Sequence, residues 1–131
     1  MFVDASAWTA MLLEEPEAEA FREKLADATE VATSAIANWE TIRAVARETN
    51  GDIEAAKLKL GVLQIFAGAR IVSVGQAEQI VALEAHVRFG KGVHAAKLNM
   101  GDCFAYACAR TNGVPLLYKG DDFALTDIEP A

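Results

Sequence analysis

Asp4, Glu40, Asp102 and the adjacent pair Asp121 and Asp122 are the residues whose type and placement point to chemistry. Asp4 closes the apolar run Met1-Phe2-Val3, and Asp121 and Asp122 follow the apolar stretch that ends at Tyr118. Asp102 stands three residues after Asn99, in the first turn of the helix that Asn99 opens. Glu40 lies about two turns into a helix that Ser34 opens. Brought to one rim, such acids repel: two carboxylates about 5 Å apart cost roughly 3 kcal/mol at an effective dielectric near 20. Protonation or a divalent cation relieves that cost. An all-oxygen ligand set favours Mg²⁺ or Mn²⁺, and a carboxylate-held ion can assist attack on a phosphodiester.

Each acid also has a plainer reading. Asp4 can cap the helix that follows it, and Asn99 with Asp102 can form a capping box. Glu40 shares a helical face with Arg43 and Arg47, and Asp121-Asp122 suits a turn. Taken singly, none is evidence of catalysis. Their shared location is the stronger signal.

The elements that must position them alternate between strand and helix. Met1–Val3 reads as a first strand, followed by a helix through Trp8, Met11 and Leu12. Pro16 suits the first turn of a second helix with Glu17 and Glu19 at its positive end. Val31-Ala32 reads as a short strand, then Ala35 to about Glu48 as a helix stopped by Asn50-Gly51. Asp52 starts another helix that runs to Gly68. Ile71–Val74 reads as a strand and Gln76–Phe89 as a helix. Residues 90–99 form a loop, and Met100–Thr111 is the last helix. Pro115–Tyr118 is the last strand, with a turn at Lys119–Asp122. Short strands alternating with helices predict an α/β fold with a parallel sheet, in one domain over residues 1–131. In such sheets the active site lies beyond the carboxyl ends of the strands.

The 131 residues are 53% hydrophobic and 24% charged, with 9 Gly and 3 Pro, which excludes a disordered or collagen-like chain. No apolar run reaches the ~18 residues of a membrane span, and the N-terminus lacks the pattern of a signal peptide. Cys103 and Cys108 read as buried free thiols, so a cytoplasmic setting is expected. The net charge of −7 argues against a polyanionic partner, but the charge is uneven. Between Glu84 and Asp102 there is no acid, while His86, Arg88, Lys91, His94 and Lys97 all fall there. The histidines read as surface or packing residues, and Trp8 and Trp39 as core or dimer aromatics.

Four segments carry a family resemblance. Met1-Phe2-Val3-Asp4-Ala5-Ser6-Ala7 resembles the opening of a PIN-domain nuclease, and Trp39-Glu40-Thr41 its second acidic motif. Leu98-Asn99-Met100-Gly101-Asp102-Cys103-Phe104-Ala105-Tyr106-Ala107 resembles the third motif in the form typical of VapC toxins. Leu117-Tyr118-Lys119-Gly120-Asp121-Asp122-Phe123, with Thr126-Asp127-Ile128, resembles the closing segment. The resemblance implies a PIN-like three-layer α/β/α sandwich with a short-stranded central parallel sheet. It further implies a Mg²⁺- or Mn²⁺-dependent endoribonuclease that acts on tRNA or rRNA and leaves a 5′-phosphate and a 3′-hydroxyl. Asp4, Glu40, Asp102 and Asp122 would be the catalytic acids and metal ligands, with Asp121 the alternative to Asp122 and Ser6 in support. Arg88, Lys91 and Lys97 would contact RNA. A VapB-like antitoxin and a second copy in a homodimer are the implied protein partners, with no membrane.

Of three competing readings, two fit less of the chain. A haloacid-dehalogenase-like phosphatase needs a second Asp where Ser6 stands. A receiver-like domain needs an Asp after a middle strand, where this chain has Val74-Gly75. A non-catalytic module would use the same acids only to bind a metal or an antitoxin.

Overall fold

The computed structural model describes residues 1–131. In chain order the elements are β1 (Phe2–Val3), α1 (Ala5–Leu12), α2 (Ala18–Asp27), β2 (Ala32–Ser34), α3 (Ala35–Glu48) and α4 (Ile53–Phe66). Then follow β3 (Arg70–Val72), α5 (Gln76–Phe89), α6 (Met100–Asn112) and β4 (Leu116–Leu117), with a 3₁₀ turn at Phe123–Leu125. The four strands form one parallel sheet in the order β3-β2-β1-β4. The chain builds outward from β1 to β3 on one side and returns to the other side with β4. The order therefore reverses between β1 and β4, the switch point where ligands bind in open parallel sheets.

Three layers follow from the strand period of two. Phe2 and Leu116 face a core shared with Phe89, Leu98 and Tyr106, under α5 and α6. Their neighbours Val3 and Leu117 face the opposite core, with Trp8, Met11, Phe21 and Leu60 under α1, α2 and α4. Both faces of such short strands are buried, so β1 and β4 are wholly apolar. One polar chain crosses the second core: Trp8 Nε1 donates to Thr33 Oγ1 at 3.1 Å, and that hydroxyl donates to Val3 O at 3.1 Å. It ties β2 to the end of β1.

The helix starts obey local rules. Asp4, Ser34, Asp52 and Asn99 each cap a helix with a side-chain oxygen. Gly113, in the left-handed conformation at φ 64°, closes α6. At the other end of the chain, Asp127 accepts from Tyr106 Oη at 2.7 Å and Arg88 Nη2 at 2.9 Å, fastening the last residues to α5 and α6.

Several boundaries depart from the sequence reading. Pro16 does not begin α2; the helix starts at Ala18, and the side chain of Glu17 pairs with Lys119 instead. The second strand is Ala32–Ser34 rather than Val31-Ala32, and the third is Arg70–Val72 rather than Ile71–Val74. Pairing explains both shifts. Ser34 lies opposite Val72, and immediately after Ser34 the chain turns into α3. Beyond Val72 no strand remains to pair with. The last strand contracts to Leu116–Leu117, the two residues that lie opposite Phe2 and Val3. No helix is long and apolar enough to cross a membrane.

Candidate active site

Asp4 leaves β1 at the switch point and is nearly fully buried. Its Oδ2 accepts the backbone N–H of Ser6 at 2.9 Å and the Ser6 hydroxyl at 2.6 Å. Burial pushes its carboxyl above the usual range, against the two bonds from Ser6, which favour the charged form. Ser6 Oγ also accepts the backbone N–H of Lys119 at 3.0 Å. A single hydroxyl thereby joins the end of β1 to the loop after β4. Lys119 Nζ in turn reaches Glu15 at 2.7 Å and Glu17 at 3.2 Å, which fixes the loop against the segment between α1 and α2.

Glu40 comes to the same rim from α3. Burial, then the charges of Asp4 and Asp102, push its carboxyl up to about 7. No ion pair joins it to Arg43, whose guanidinium lies 4.5 Å from the centre of the exposed Trp39 ring instead. The Glu40–Arg43 pairing open to the sequence is thus replaced by a cation–π stack on the outer face of α3. Trp8, in contrast, is a core aromatic.

Asp102 arrives on the first turn of α6. Its Oδ2 accepts from Asn99 N at 2.8 Å, while Asn99 Oδ1 accepts from Asp102 N at 3.1 Å. This is the reciprocal capping box, and it engages Oδ2, leaving Oδ1 for another role. Burial comes first, and the charges of Asp4 and Asp122 add to it. Together they push the carboxyl up to about 6 despite the bond from Asn99. The neighbouring Gly101 has a steric role: a Cβ there would fall within the Glu40 carboxylate. The sequence reading assigns this glycine no role beyond its place in the third motif, although Gly is a poor helix former and asks for a reason.

Of the acidic pair after β4, both members are exposed, and it is Asp122 whose charge reaches Asp102. The structure therefore places Asp4, Glu40 and Asp102 within electrostatic reach of one another, and Asp122 within reach of Asp102. The acids do not close into a ready-made cage of three or more ligands. The donor chemistry fits a hydrated Mg²⁺. Such an ion needs one or two carboxylates and keeps several waters.

The three basic residues separate. Arg88 is committed to Asp127, Lys97 is exposed at φ 53°, and Lys91 borders a cleft beside the first turn of α6. Cys103 and Cys108 are free and buried, their thiols pushed up to about 11 and about 12 mainly by burial. They are packing residues rather than nucleophiles.

Comparison with known proteins bears on this arrangement. The model of the PIN domain family matches residues 1–129. A protein named Ribonuclease VapC from Mycolicibacterium smegmatis is 38% identical, over 98% of this chain and 97% of the relative. A VapC ribonuclease from Rhizobium meliloti is 36% identical, over 97% of this chain and 98% of its own. Among solved structures, Mycobacterium tuberculosis VapC20, described as a sarcin-ricin loop cleaving toxin, superposes with a TM-score of 0.78. It shares 20% identity over 99% of this chain and 97% of that one, a likeness of fold.

Proposed function

The chain belongs to the VapC ribonucleases of the PIN-domain family, and on that premise we propose a divalent-metal-dependent endoribonuclease toxin, restrained by a VapB-like antitoxin. The observation that carries the reading is the gathering of acids at the β1/β4 switch point, where the charges of Asp4 and Asp102 add to burial in raising the Glu40 carboxyl and those of Asp4 and Asp122 in raising that of Asp102. A surface that holds like charges together in this way is built to receive a cation. Mg²⁺ or Mn²⁺ is the ion of choice for an all-carboxylate rim and would supply positive charge facing the attacking and leaving oxygens of a phosphodiester.

The chain's own residues have distinct tasks. Asp4, Glu40 and Asp102 would hold the ion, and Asp122, rather than Asp121, would be the fourth acid. Ser6 keeps Asp4 aimed and ties it to the loop that carries Asp122. Water attacks phosphorus in line and the bond to the 3′ oxygen breaks, leaving a 5′-phosphate and a 3′-hydroxyl. The substrate class is a structured RNA, tRNA or rRNA, in the cytoplasm. Exposed apolar side chains on α4, among them Leu58, Ile65 and Phe66, support protein partners, an antitoxin and a second copy of the chain.

The test is incubation of total cellular RNA with purified, antitoxin-free protein in Mg²⁺, in Mn²⁺ and in EDTA, beside Asp4→Asn. Discrete 5′-phosphorylated fragments, absent with EDTA and with the variant, are expected. A 2′,3′-cyclic phosphate product or full cleavage in EDTA would overturn the mechanism. Absence of cleavage by well-folded protein would leave a binding module.

A further inference from the structure

A cleft of about 380 Å³ lies between α5, the loop that follows it and the first turn of α6. Buried Ala82, Leu98 and Cys103 form its apolar floor, and half-buried Phe104 contributes an aromatic wall. His86, Lys91 and Asn99 bring polar groups, and no carboxylate lines it. We infer that this cleft receives one unpaired nucleobase of the RNA, next to the phosphate held at the acids. The inference rests on the ribonuclease reading above and deepens it.

Three observations argue for that occupant. The first is position. Asn99 is both a wall of the cleft and the hydrogen-bond partner of Asp102, bonded to it in both directions at 2.8 and 3.1 Å. The wall of the cleft thus includes the residue that holds an acid of the site. The second is charge. In a chain of net charge −7, the cleft is lined by Lys91 and His86 without an acid, which suits a base attached to a phosphate backbone. The third is construction. An apolar floor with a few polar groups and an aromatic wall is the usual make-up of a site for a flat heterocycle. The loop that holds Lys91 is pinned at both edges: Lys91 N donates to Leu98 O, and Leu98 N donates to Phe89 O, each at 3.0 Å. Gly90 lets that loop lie against the His86 ring, where a Cβ would collide with it.

The experiment uses an oligoribonucleotide that spans the cut site mapped in total RNA. Abasic nucleotides replace each position flanking the scissile phosphate in turn. Leu83→Trp, at an exposed position of the wall, fills the cleft, and His86→Ala removes a polar group without filling it. For each protein the RNA rate is divided by the rate on bis(p-nitrophenyl) phosphate, which has no base, and sedimentation velocity gives the oligomeric state. One abasic position is expected to lower wild-type kcat/KM about tenfold. Leu83→Trp should lower the rate ratio by a similar factor and become insensitive to that abasic position; His86→Ala should do the same in part. Abasic substitution without effect, or an unchanged ratio in both variants, would overturn the inference while the ribonuclease reading stands. A loss that follows a change in oligomeric state would overturn it in favour of a second copy of this chain. No RNA cleavage by the wild type would overturn the ribonuclease reading itself.

Discussion

The space that Gly101 leaves empty on the first turn of α6 is filled by the carboxylate of Glu40 from α3. Two helices that reach the rim from different sides of the chain thereby fix one acid through the absence of a side chain beside another. Glu40 is thereby seated where burial, with the charges of Asp4 and Asp102 added, raises its proton affinity.

Gly101→Ala should consequently abolish most RNA cleavage without unfolding the protein. Alanine improves the helix by about 1 kcal/mol, and the half-exposed Glu40 can swing away from the new methyl group. The loss should match that of Glu40→Ala, and the double variant should be no worse than either single one. Kinetics of the four proteins in a double-mutant cycle, with thermal unfolding of each, check this; additive losses would show that Gly101 acts elsewhere.

Stability should fall as pH rises in metal-free protein. The folded-state pKa of Glu40 is raised from 4.5 to about 7, and that of Asp102 from 3.8 to about 6. A carboxyl raised on folding binds a proton more tightly in the native state. Its contribution is complete below the unfolded value and is lost as pH climbs through the folded one. Between pH 4.5 and about 7 the Tm should therefore decline, and Glu40→Gln should flatten that decline. Mg²⁺ should raise Tm at pH 8 and do little at pH 5, where the acids hold protons. Thermal scans across pH with and without the ion decide it.

The capping role of Asp102 separates from its proposed catalytic role by choice of substitution. Asp102→Asn keeps an oxygen that can accept from Asn99 N, so α6 should be retained while cleavage falls by orders of magnitude. Asp102→Ala removes the same charge together with the capping bond and should cost about 1 kcal/mol more in unfolding free energy. Urea titrations beside the cleavage assay separate the two effects.

What the sequence displays and what it conceals follow from the range of the forces involved. Caps at Asp4, Ser34, Asp52 and Asn99 act over two or three residues, so the helix starts are legible from local residue types. Strand ends are not local. Val72 is the last residue of β3 because Ser34 is the last of β2, a pairing set across a separation of 38 residues by the turn into α3. The acids are readable as separate signals, each beside an element boundary. The bonds that aim them are less so. Lys119 reaches Glu15 across a separation of 104 residues, and Ser6 takes the backbone N–H of Lys119 across 113. No spacing rule registers partners that meet only when β4 is laid beside β1. Arg88 has a partner hidden in the same way: its place in a basic stretch is legible, but its ion pair with Asp127 of the closing segment is not.

In the core, Thr33→Val should destabilise the fold by about 2 kcal/mol although the two side chains have nearly the same shape. The hydroxyl accepts from Trp8 Nε1 and donates to Val3 O, all within the buried second core. Its loss leaves an indole N–H without a partner, which costs the desolvation of that group. Denaturant unfolding should show a lower midpoint with an unchanged m-value.

Ser6→Ala tests whether aim, as distinct from charge, matters at the rim. The hydroxyl donates to Asp4 at 2.6 Å and accepts from Lys119 N at 3.0 Å, so alanine cuts the link between β1 and the loop that carries Asp122. Asp4 retains the backbone N–H of Ser6 at 2.9 Å and its own charge. Ion binding should therefore survive, with a modest weakening, while kcat falls about tenfold because one acid is no longer held relative to another. The loss of one donor that favours ionised Asp4 should also raise its pKa further, moving the acidic limb of the pH–rate profile upward. Ser6→Thr, which keeps the hydroxyl, should recover most of the rate. If Ser6→Ala instead weakens ion binding in proportion to its loss of rate, with no shift in the acidic limb, Ser6 contributes to holding the ion and not to aiming Asp4.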